Sequence, residues 1–187
     1  MGMPAQQLDW TADAVRALPE DGNRYEVVDG ELLVTPAPRL PHQEAVGELF
    51  ARLKDYCRNS RAGHAMMSPA DIEFSRQRLV QPDVFVVPLV DGRRPRSWEE
   101  IRTLLLAVEI ISPSSARADR QVKRRLYQSE GVADYWIVDL DARIVERWRP
   151  QDARPEILAD SIEWLPVDGT EPFIVNLDAY FCEVIGD

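Results

Sequence analysis

The hydrophobic and polar positions along the chain predict an alternation of helices and strands. Asp29-Gly30 favours the tight turn of a two-residue hairpin, and apolar residues recur with helical period from His42 to about Cys57. The predicted helices are residues 11–18, 42–57, 116–129 and 176–184. The predicted strands are residues 24–28, 31–35, 65–74 with a kink at Pro69, a strand that follows a turn at Arg76-Gln77 and holds Asp83 and the apolar run 84–87, and residues 104–111, 134–140, 143–148 and 155–164.

This order of elements predicts an α/β fold, with a mixed sheet flanked by helices and at least one parallel crossover through the helix at 116–129. The length of 187 residues suits a single domain with a sizeable core. We expect that domain to span 1–187, with a core at about 24–148 and a C-terminal strand and helix extension at 151–187.

One acidic residue interrupts an apolar strand. Glu109 follows Leu104-Leu105-Leu106-Ala107-Val108 and precedes Ile110-Ile111. A carboxylate in such a strand costs several kcal/mol of desolvation unless a cation or hydrogen-bond donors compensate it. We therefore expect a positive group beside Glu109. A second acid, Asp83, opens the apolar run at 84–87.

The helix that follows supplies a candidate cation. Asp119, Lys123 and Tyr127 recur at four-residue intervals and share one helix face. Lys123 lies about 9 Å along the helix and Glu109 about 7 Å back from its strand end, so both reach similar depth if the helix folds back along the sheet. Lys123 can pair with Glu109, or with Asp119 one turn away.

The net charge of −10 argues at first against a nucleic-acid partner, but the charge is unevenly distributed. From Gln151 onward nine acidic residues face only Arg154. The arginines gather nearer the candidate site, and they form either a basic rim for nucleic acid or an ordinary solvated surface. The candidate nucleic-acid contacts are Arg93, Arg94, Arg117, Arg120 and Arg124.

Other features concern the cellular location of the protein. Cys57 and Cys182 form no metal-spaced pair, there is no charged-then-apolar leader, and no apolar run approaches the roughly 20 residues that span a bilayer. These features predict a cytoplasmic protein with no membrane partner.

Several segments together resemble the PD-(D/E)XK nuclease superfamily, and in particular its Uma-two branch of restriction-endonuclease-like proteins. The matching segments are Pro82-Asp83 followed after 25 residues by Glu109, the hairpin RYEVVDGEL at 24–32, His42-Gln43, VEIISPS at 108–114, the helix with Asp119, Lys123 and Tyr127, and GVADYWIVD at 131–139. The resemblance covers about 24–148 and extends more loosely to 180. One departure is Ile111, which stands where the superfamily has a lysine, and Lys123 takes the place of that lysine in the Uma-two branch.

This resemblance implies a magnesium- or manganese-dependent endonuclease that hydrolyses phosphodiester bonds of DNA. Asp83, Glu109 and the carbonyl of Ile110 would hold the ion, since magnesium prefers hard oxygen ligands. Lys123 would orient the attacking water or offset developing negative charge. The expected catalytic residues are thus Asp83, Glu109 and Lys123.

Three accessory residues have open roles. Glu26 either adds a carboxylate to the site, as the resemblance suggests, or points to solvent. His42 caps the second helix, contacts phosphate or shuttles a proton. Tyr127 is expected in the core, with its hydroxyl bonded to a site residue.

Two function classes fit the sequence. The first is a metal-dependent nuclease, favoured by the intact set of Asp83, Glu109 and Lys123. The second is a catalytically inactive nuclease-fold module for binding or assembly, favoured by the overall acidity and the lack of an added DNA-reading domain. We also expect a homodimer through the C-terminal half, because Tyr135, Trp136, Trp148 and Trp164 are more aromatic surface than a small sheet readily covers.

Overall fold

The computed structural model describes residues 9–186, so the first eight residues and residue 187 of the predicted domain lie outside the described residues. Within 9–186 the helices are α1 Ala12–Arg16, α2 Leu40–Ser60, α3 Arg124–Ser129 and α4 Leu177–Ile185, with a π-helix at Ala118–Lys123 and a 3-10 turn at Trp98–Glu100. The strands are β1 Arg24–Val28, β2 Glu31–Thr35, β3 His64–Met67, β4 Ile72–Ser75, β5 Arg78–Val80, β6 Val84–Val87, β7 Leu106–Ile110, β8 Asp134–Asp139, β9 Ile144–Trp148, β10 Glu156–Leu158, β11 Ser161–Trp164 and β12 Phe173–Asn176.

A mixed six-stranded sheet forms the centre, in the order β10-β9-β8-β7-β6-β3. Its neighbours pair antiparallel except β7 and β8, which run parallel. The chain crosses between those two strands through the π-helix and α3, so the predicted parallel crossover is confirmed. A four-stranded sheet, β2-β1-β5-β4, and the β11-β12 pair complete the α/β fold.

Local sequence signals account for several element ends. The Thr11 side chain accepts a hydrogen bond from the Ala14 N–H and caps α1, as predicted. Asp29 and Gly30 have φ values of 51° and 82°, the left-handed pair that a type I′ hairpin turn needs. Asn176 caps α4 through the Ala179 N–H, and the helix ends at Gly186 with φ 82°.

The core lies on both faces of the six-stranded sheet. Residues of α2, α4, β11 and β12 pack on one face, and residues of α3 and the four-stranded sheet pack on the other. Strand β7 alternates between these two layers, with Val108 and Ile110 on the α2 side and Ala107 on the α3 side. Glu109 is the next residue on the Ala107 side by alternation, which turns its side chain toward the helix that carries Lys123.

Four predictions about strands were wrong. Residues 65–74 are not one kinked strand, because the chain leaves β3 at Ser68 and enters β4 in the other sheet. Residues 155–164 likewise divide into β10 and β11, which belong to separate sheets. The turn at Arg76-Gln77 leads into β5, which pairs with β4 in the four-stranded sheet, and Asp83 comes after β5 and just before β6 of the other sheet. Strand β12 was missed, since residues 173–176 were counted as loop and the start of the last helix.

The reason for predicting a homodimer was also wrong. Tyr135, Trp136, Trp148 and Trp164 are all buried within the single chain. Tyr56 and Phe173 surround Trp164, and Arg124 covers Trp148. The homodimer stays a prediction without that support. No helix in the described part of the chain has the length and apolar character to cross a bilayer.

Candidate active site

The sheet brings the two predicted acids together. Asp83 immediately precedes β6 and Glu109 lies in β7, and the two strands pair with Val84 opposite Val108. Asp83 Oδ2 accepts a hydrogen bond of 2.8 Å from the N–H of Ile110. Both carboxylates are only 2% exposed. The predicted adjacency of two acid-bearing strands is therefore present in the structure.

A π-helix places the predicted lysine over Glu109. Its wider turn is seen in the bond from the Arg124 N–H to the Asp119 carbonyl, five residues back. The Tyr135 hydroxyl donates to the same carbonyl at 3.1 Å. Lys123 Nζ then lies 3.0 Å from Glu109 Oε1. Such wide turns are frequent at functional sites, because they change which face of a helix a side chain occupies.

Lys123 contacts three buried carboxylates at once. Its Nζ lies 2.7 Å from Glu26 Oε2, 3.0 Å from Glu109 Oε1 and 3.4 Å from Asp119 Oδ1. Burial alone lowers the pKa of Lys123, but the three carboxylates outweigh it and raise that pKa well above the ordinary value. Lys123 therefore stays an ammonium group at neutral pH, and both pairings expected from the sequence are made.

Glu26 and Tyr127 complete the environment of the lysine and Glu109. Glu26 is fully buried and its Oε1 accepts the N–H of Gln81 at 2.7 Å, so it faces the site and not solvent. The Tyr127 hydroxyl donates to Glu109 Oε1 at 3.2 Å. Burial, followed by nearby Glu109, raises the pKa of Tyr127 well above its ordinary value, so the phenol keeps its proton.

Asp83 is held by a different set of groups. Arg24 Nη2 donates to Asp83 Oδ1 at 2.7 Å, and His42 Nε2 lies 3.2 Å from Asp83 Oδ2. Burial on its own raises the pKa of Asp83, but the contacts with His42, Arg24 and the Ile110 N–H lower it to about 2. His42 Nδ1 is buried and has no hydrogen-bond partner among the described residues.

The cluster carries more acids than bases. Four buried carboxylates, those of Glu26, Asp83, Glu109 and Asp119, face the cations of Lys123 and Arg24. Burial raises the pKa of Glu109 well above its ordinary value, and the neighbouring acids add to this against the opposing effect of Lys123. The pKa of Asp119 is also raised, chiefly by burial. The site therefore has an excess of negative charge that protons or a bound cation can compensate.

A cavity of about 990 Å³ opens over these residues. Asp83, Glu109 and Lys123 lie in its wall, together with two segments at 36–39 and 112–115. Arg39 and Arg143, both exposed, also line it. The cavity is large enough for a small-molecule or nucleotide ligand, for which pockets are typically about 300 to 1,000 Å³.

The oxygen atoms of the two predicted metal ligands suit magnesium chemically. Residues 9–186 contain no group of three or more His, Cys, Asp or Glu side chains placed to hold a metal ion. Magnesium, however, is usually bound through one or two carboxylates and keeps several waters. Asp83 Oδ1 and Glu109 Oε2 are each contacted by Arg24. Ile110 lines the cavity, and its role as a carbonyl ligand stays a prediction.

The five predicted nucleic-acid arginines lie away from the cavity wall. Arg93 forms two bonds of 2.9 and 3.0 Å with Glu100, and Arg120 pairs with Glu146 and Asp139. The guanidinium of Arg124 lies 4.7 Å from the centre of the Trp148 ring. Arg94 and Arg117 are exposed at the surface. Their role in binding nucleic acid stays a prediction.

Two residues of the cluster were missed as site residues. Arg24 was interpreted only as part of the hairpin, although its spacing of two from Glu26 places both on the same face of β1. Asp119 was treated as a partner of Lys123 and not as a member of the site. The alternation of β1 places Arg24 on the same face as Glu26. It therefore indicates that Arg24 belongs to the site only once Glu26 is known to face inward.

The comparisons with known proteins agree with this fold. Residues 12–172 match the Uma2 family, described as "Putative restriction endonuclease". A crystal structure described as "a putative nuclease belonging to DUF820 from Anabaena variabilis ATCC 29413" is similar, with a TM-score of 0.72 and 20% sequence identity over 93% of this chain and 98% of that chain. At that identity the likeness shows a shared fold. No curated protein matches the chain. Because the family match spans most of its length, the protein belongs to the Uma2 family.

Proposed function

We propose that this protein is a nuclease that requires magnesium or manganese and hydrolyses phosphodiester bonds of DNA. The observation that carries the proposal is the meeting of Asp83, Glu109 and Lys123 in the wall of one cavity. These are the three residues that the family resemblance selects. The membership in a family of restriction-endonuclease-like proteins supports the same reaction class.

Asp83 and Glu109 are the residues that would hold the ion. A divalent cation bound there would supply Lewis acidity, lowering the pKa of its water and polarising the phosphate. The excess negative charge of the cluster favours a divalent cation over an anion at this position. Asp83 suits this role at neutral pH because its pKa of about 2 keeps it ionised.

Lys123 acts as a donor and a positive charge in this scheme. Since its pKa is raised, it cannot accept a proton from water at neutral pH. It can orient an attacking water or stabilise negative charge that develops on the phosphate oxygens. Glu26 and Asp119 hold the ammonium in place, and Tyr127 donates to the same Glu109 oxygen that Lys123 contacts.

His42 serves to position Asp83. Its Nε2 is the nitrogen placed to donate to Asp83 Oδ2, and its buried Nδ1 has no partner among the described residues. His42 also lines the cavity, so a substrate phosphate could reach the ring. Its place at the start of α2, two residues after Leu40, puts it where the helix N-terminus favours anions.

One observation favours a second function, that of a binding or assembly module without turnover. Lys123 already has three carboxylate partners and Asp83 already has Arg24, so each of the four acids contacts a cation without any metal. A buried ion-pair cluster of this kind can be structural. The two functions differ in whether a divalent cation binds and whether DNA is then cut.

The test uses labelled substrates of one sequence as duplex DNA, single-stranded DNA and single-stranded RNA. Each is incubated with the parent protein in magnesium, in manganese and in EDTA. The proposal predicts cleavage of DNA in either metal and none in EDTA, and Glu109→Gln should be inactive throughout. Cleavage of RNA alone would mean that the substrate is RNA and not DNA. Metal binding without cleavage of any substrate would favour the binding module.

A further inference from the structure

We propose that Arg24 is an internal counter-cation that fills the metal position between Asp83 and Glu109 when no metal is bound, and that the divalent ion displaces it. This inference rests on the proposed function, because it takes Asp83 and Glu109 as the metal ligands. It adds a role for a residue that the resemblance leaves without one.

The contacts of the four side-chain oxygens of Asp83 and Glu109 support this assignment. Asp83 Oδ2 is taken by the Ile110 N–H and His42, and Glu109 Oε1 is taken by Lys123 and Tyr127. The other oxygen of each carboxylate is contacted by Arg24, at 2.7 Å for Asp83 Oδ1 and 3.9 Å for Glu109 Oε2. One guanidinium is therefore hydrogen-bonded to Asp83 Oδ1 and lies within ion-pair distance of Glu109 Oε2, the two oxygens that have no other partner among these contacts.

The charges of the cluster also support displacement of Arg24 by a divalent ion. Lys123 is committed to Glu26, Glu109 and Asp119, whereas Arg24 supplies a full positive charge in direct contact with Asp83. A divalent ion between Asp83 and Glu109 would repel a guanidinium that stayed in place. Binding of the ion thus requires Arg24 to give up at least its contact with Asp83.

The Arg24 side chain has space to move into. Its side chain is 20% exposed and lines the cavity, whereas the carboxylates it contacts are 2% exposed. A second bond runs from Nη1 to the Gln81 carbonyl at 3.1 Å. A rotation of the side chain would move the guanidinium into the cavity.

In the cavity the displaced guanidinium would bind the substrate. Arginine pairs with phosphate through two parallel hydrogen bonds, which a lysine cannot reproduce. The scissile phosphodiester has to lie beside the metal, and Arg24 lines the same cavity as Asp83 and Glu109. The same residue would then compensate the acids before metal binding and hold the phosphate afterwards.

Manganese binding measured by calorimetry, with no substrate present, tests the first step. The variants are Arg24→Gln, which removes the charge, and Arg52→Gln as the matched control. Arg52 lies in α2, pairs with Glu48 of the same helix and Glu183 of α4, and does not line the cavity. Both variants change the net charge of the protein equally.

We expect Arg24→Gln to bind manganese roughly tenfold more tightly than the parent, since a neighbouring full charge shifts ionic equilibria by about 1 to 3 log units. Arg52→Gln should stay within about twofold of the parent, because its charge is remote and screened by salt.

The outcomes separate this inference from the proposed function. If the parent binds manganese and cuts DNA but Arg24→Gln binds no more tightly, the counter-cation role is overturned and the nuclease stands. If Arg24→Gln binds manganese and the parent does not, the counter-cation role is supported whether or not DNA is cut. If neither binds, both are overturned.

Arg24→Lys keeps the test valid if Arg24→Gln does not fold without metal. A single ammonium group keeps the charge but cannot cover both oxygens at once, so its manganese affinity should lie between those of the parent and Arg24→Gln. Its DNA cleavage should fall at saturating manganese, with KM raised, because the two-bond contact with phosphate is lost. An affinity at or below that of the parent, with unchanged KM, would contradict both steps.

Discussion

Lys123 Nζ lies 3.0 Å from Glu109 Oε1, although the two residues are 14 positions apart and belong to a helix and a strand. A lysine two residues after the glutamate would have come from the end of β7 itself, where Ile111 stands. The π-helix and α3 bring the same functional group back to the carboxylate from above the sheet. The positive charge beside Glu109 thus comes from a different element of the fold.

Replacing Lys123 by Met should strongly destabilise the metal-free protein. The change leaves Glu26, Glu109 and Asp119 buried without their shared cation, and breaking a buried ion pair from one side costs about 3 to 5 kcal/mol. Urea unfolding in EDTA measures the loss. The matched control is Lys54→Met, because Lys54 is exposed on α2. Equal stability of Lys123→Met and the parent would show that the cluster is not held together by this residue.

Glu109→Gln should abolish stabilisation by metal. Magnesium or manganese should raise the melting temperature of the parent, since an ion that binds only the folded state stabilises it by mass action. The amide that replaces the carboxylate in this variant offers no negative charge to the ion. Thermal unfolding with and without about 10 mM metal, a concentration of the order that saturates weak divalent-ion sites, compares the two proteins. A rise of the same size in both would remove Glu109 from the metal site.

The pH dependence of stability should also change in Glu109→Gln. In the folded protein the pKa of Glu109 is raised well above 4.5, by burial first and by neighbouring acids. Folded Glu109 therefore keeps a proton that the unfolded chain loses above about pH 4.5, so its contribution to stability declines as pH rises through that window. In EDTA the melting temperature of the parent should fall relative to that of Glu109→Gln from about pH 5 to about pH 8. A difference that stays constant over this range would mean that Glu109 is already ionised at pH 5.

Tyr127→Phe tests the contact that fixes Glu109. Loss of the hydroxyl removes one donor to Glu109 Oε1 and leaves Lys123 in place, so we expect a loss of about 1 to 2 kcal/mol in the free energy of unfolding. Tyr25→Phe is the control, because its hydroxyl bonds to Asp21 at the surface and its loss should cost less than about 0.5 kcal/mol. Similar losses in the two variants would indicate that the buried hydroxyl has no special role.

The mouth of the cavity suggests where DNA binds. Arg39 lines it, whereas Arg120 is paired with Glu146 and Asp139. Arg39→Ala should weaken DNA binding and reduce the slope of log affinity against log salt concentration by about 1, the value for one phosphate contact. Arg120→Ala should change the affinity and the slope less. Fluorescence anisotropy at several salt concentrations measures the two quantities. A larger effect at Arg120 would instead support the rim predicted from the sequence.

The sequence was sufficient for the parts of the site that follow from local periodicity. The period of four along the helix placed Asp119, Lys123 and Tyr127 on one face, and the apolar surroundings of Glu109 required a cation near it. The roles of Glu26 and Arg24 could not be decided, because alternation on β1 leaves open which face turns inward. That choice depends on how the four-stranded sheet packs against the central sheet, which is a tertiary contact.

The strand errors have the same origin. The chain passes from β3 to β4 within a few residues around Pro69, and the two strands belong to different sheets. Sequence periodicity shows where a strand is broken but not which partner each half finds. The late aromatics were misjudged for a related reason, because the β11-β12 pair and α4 add a layer that covers Trp136 and Trp164. The domain limits within the chain stay a prediction.

The most direct test of the central claim is nicking of supercoiled plasmid DNA by the parent protein as magnesium or manganese is added. Asp83→Asn, Glu109→Gln and Lys123→Met are assayed beside it, together with the surface control Arg52→Gln. We predict conversion of supercoiled to nicked plasmid by the parent and by Arg52→Gln in metal, no conversion in EDTA, and loss of conversion in the three site variants that remain folded. Nicking that persists undiminished in folded Asp83→Asn and Glu109→Gln, or no nicking by the parent in either metal, would contradict the claim.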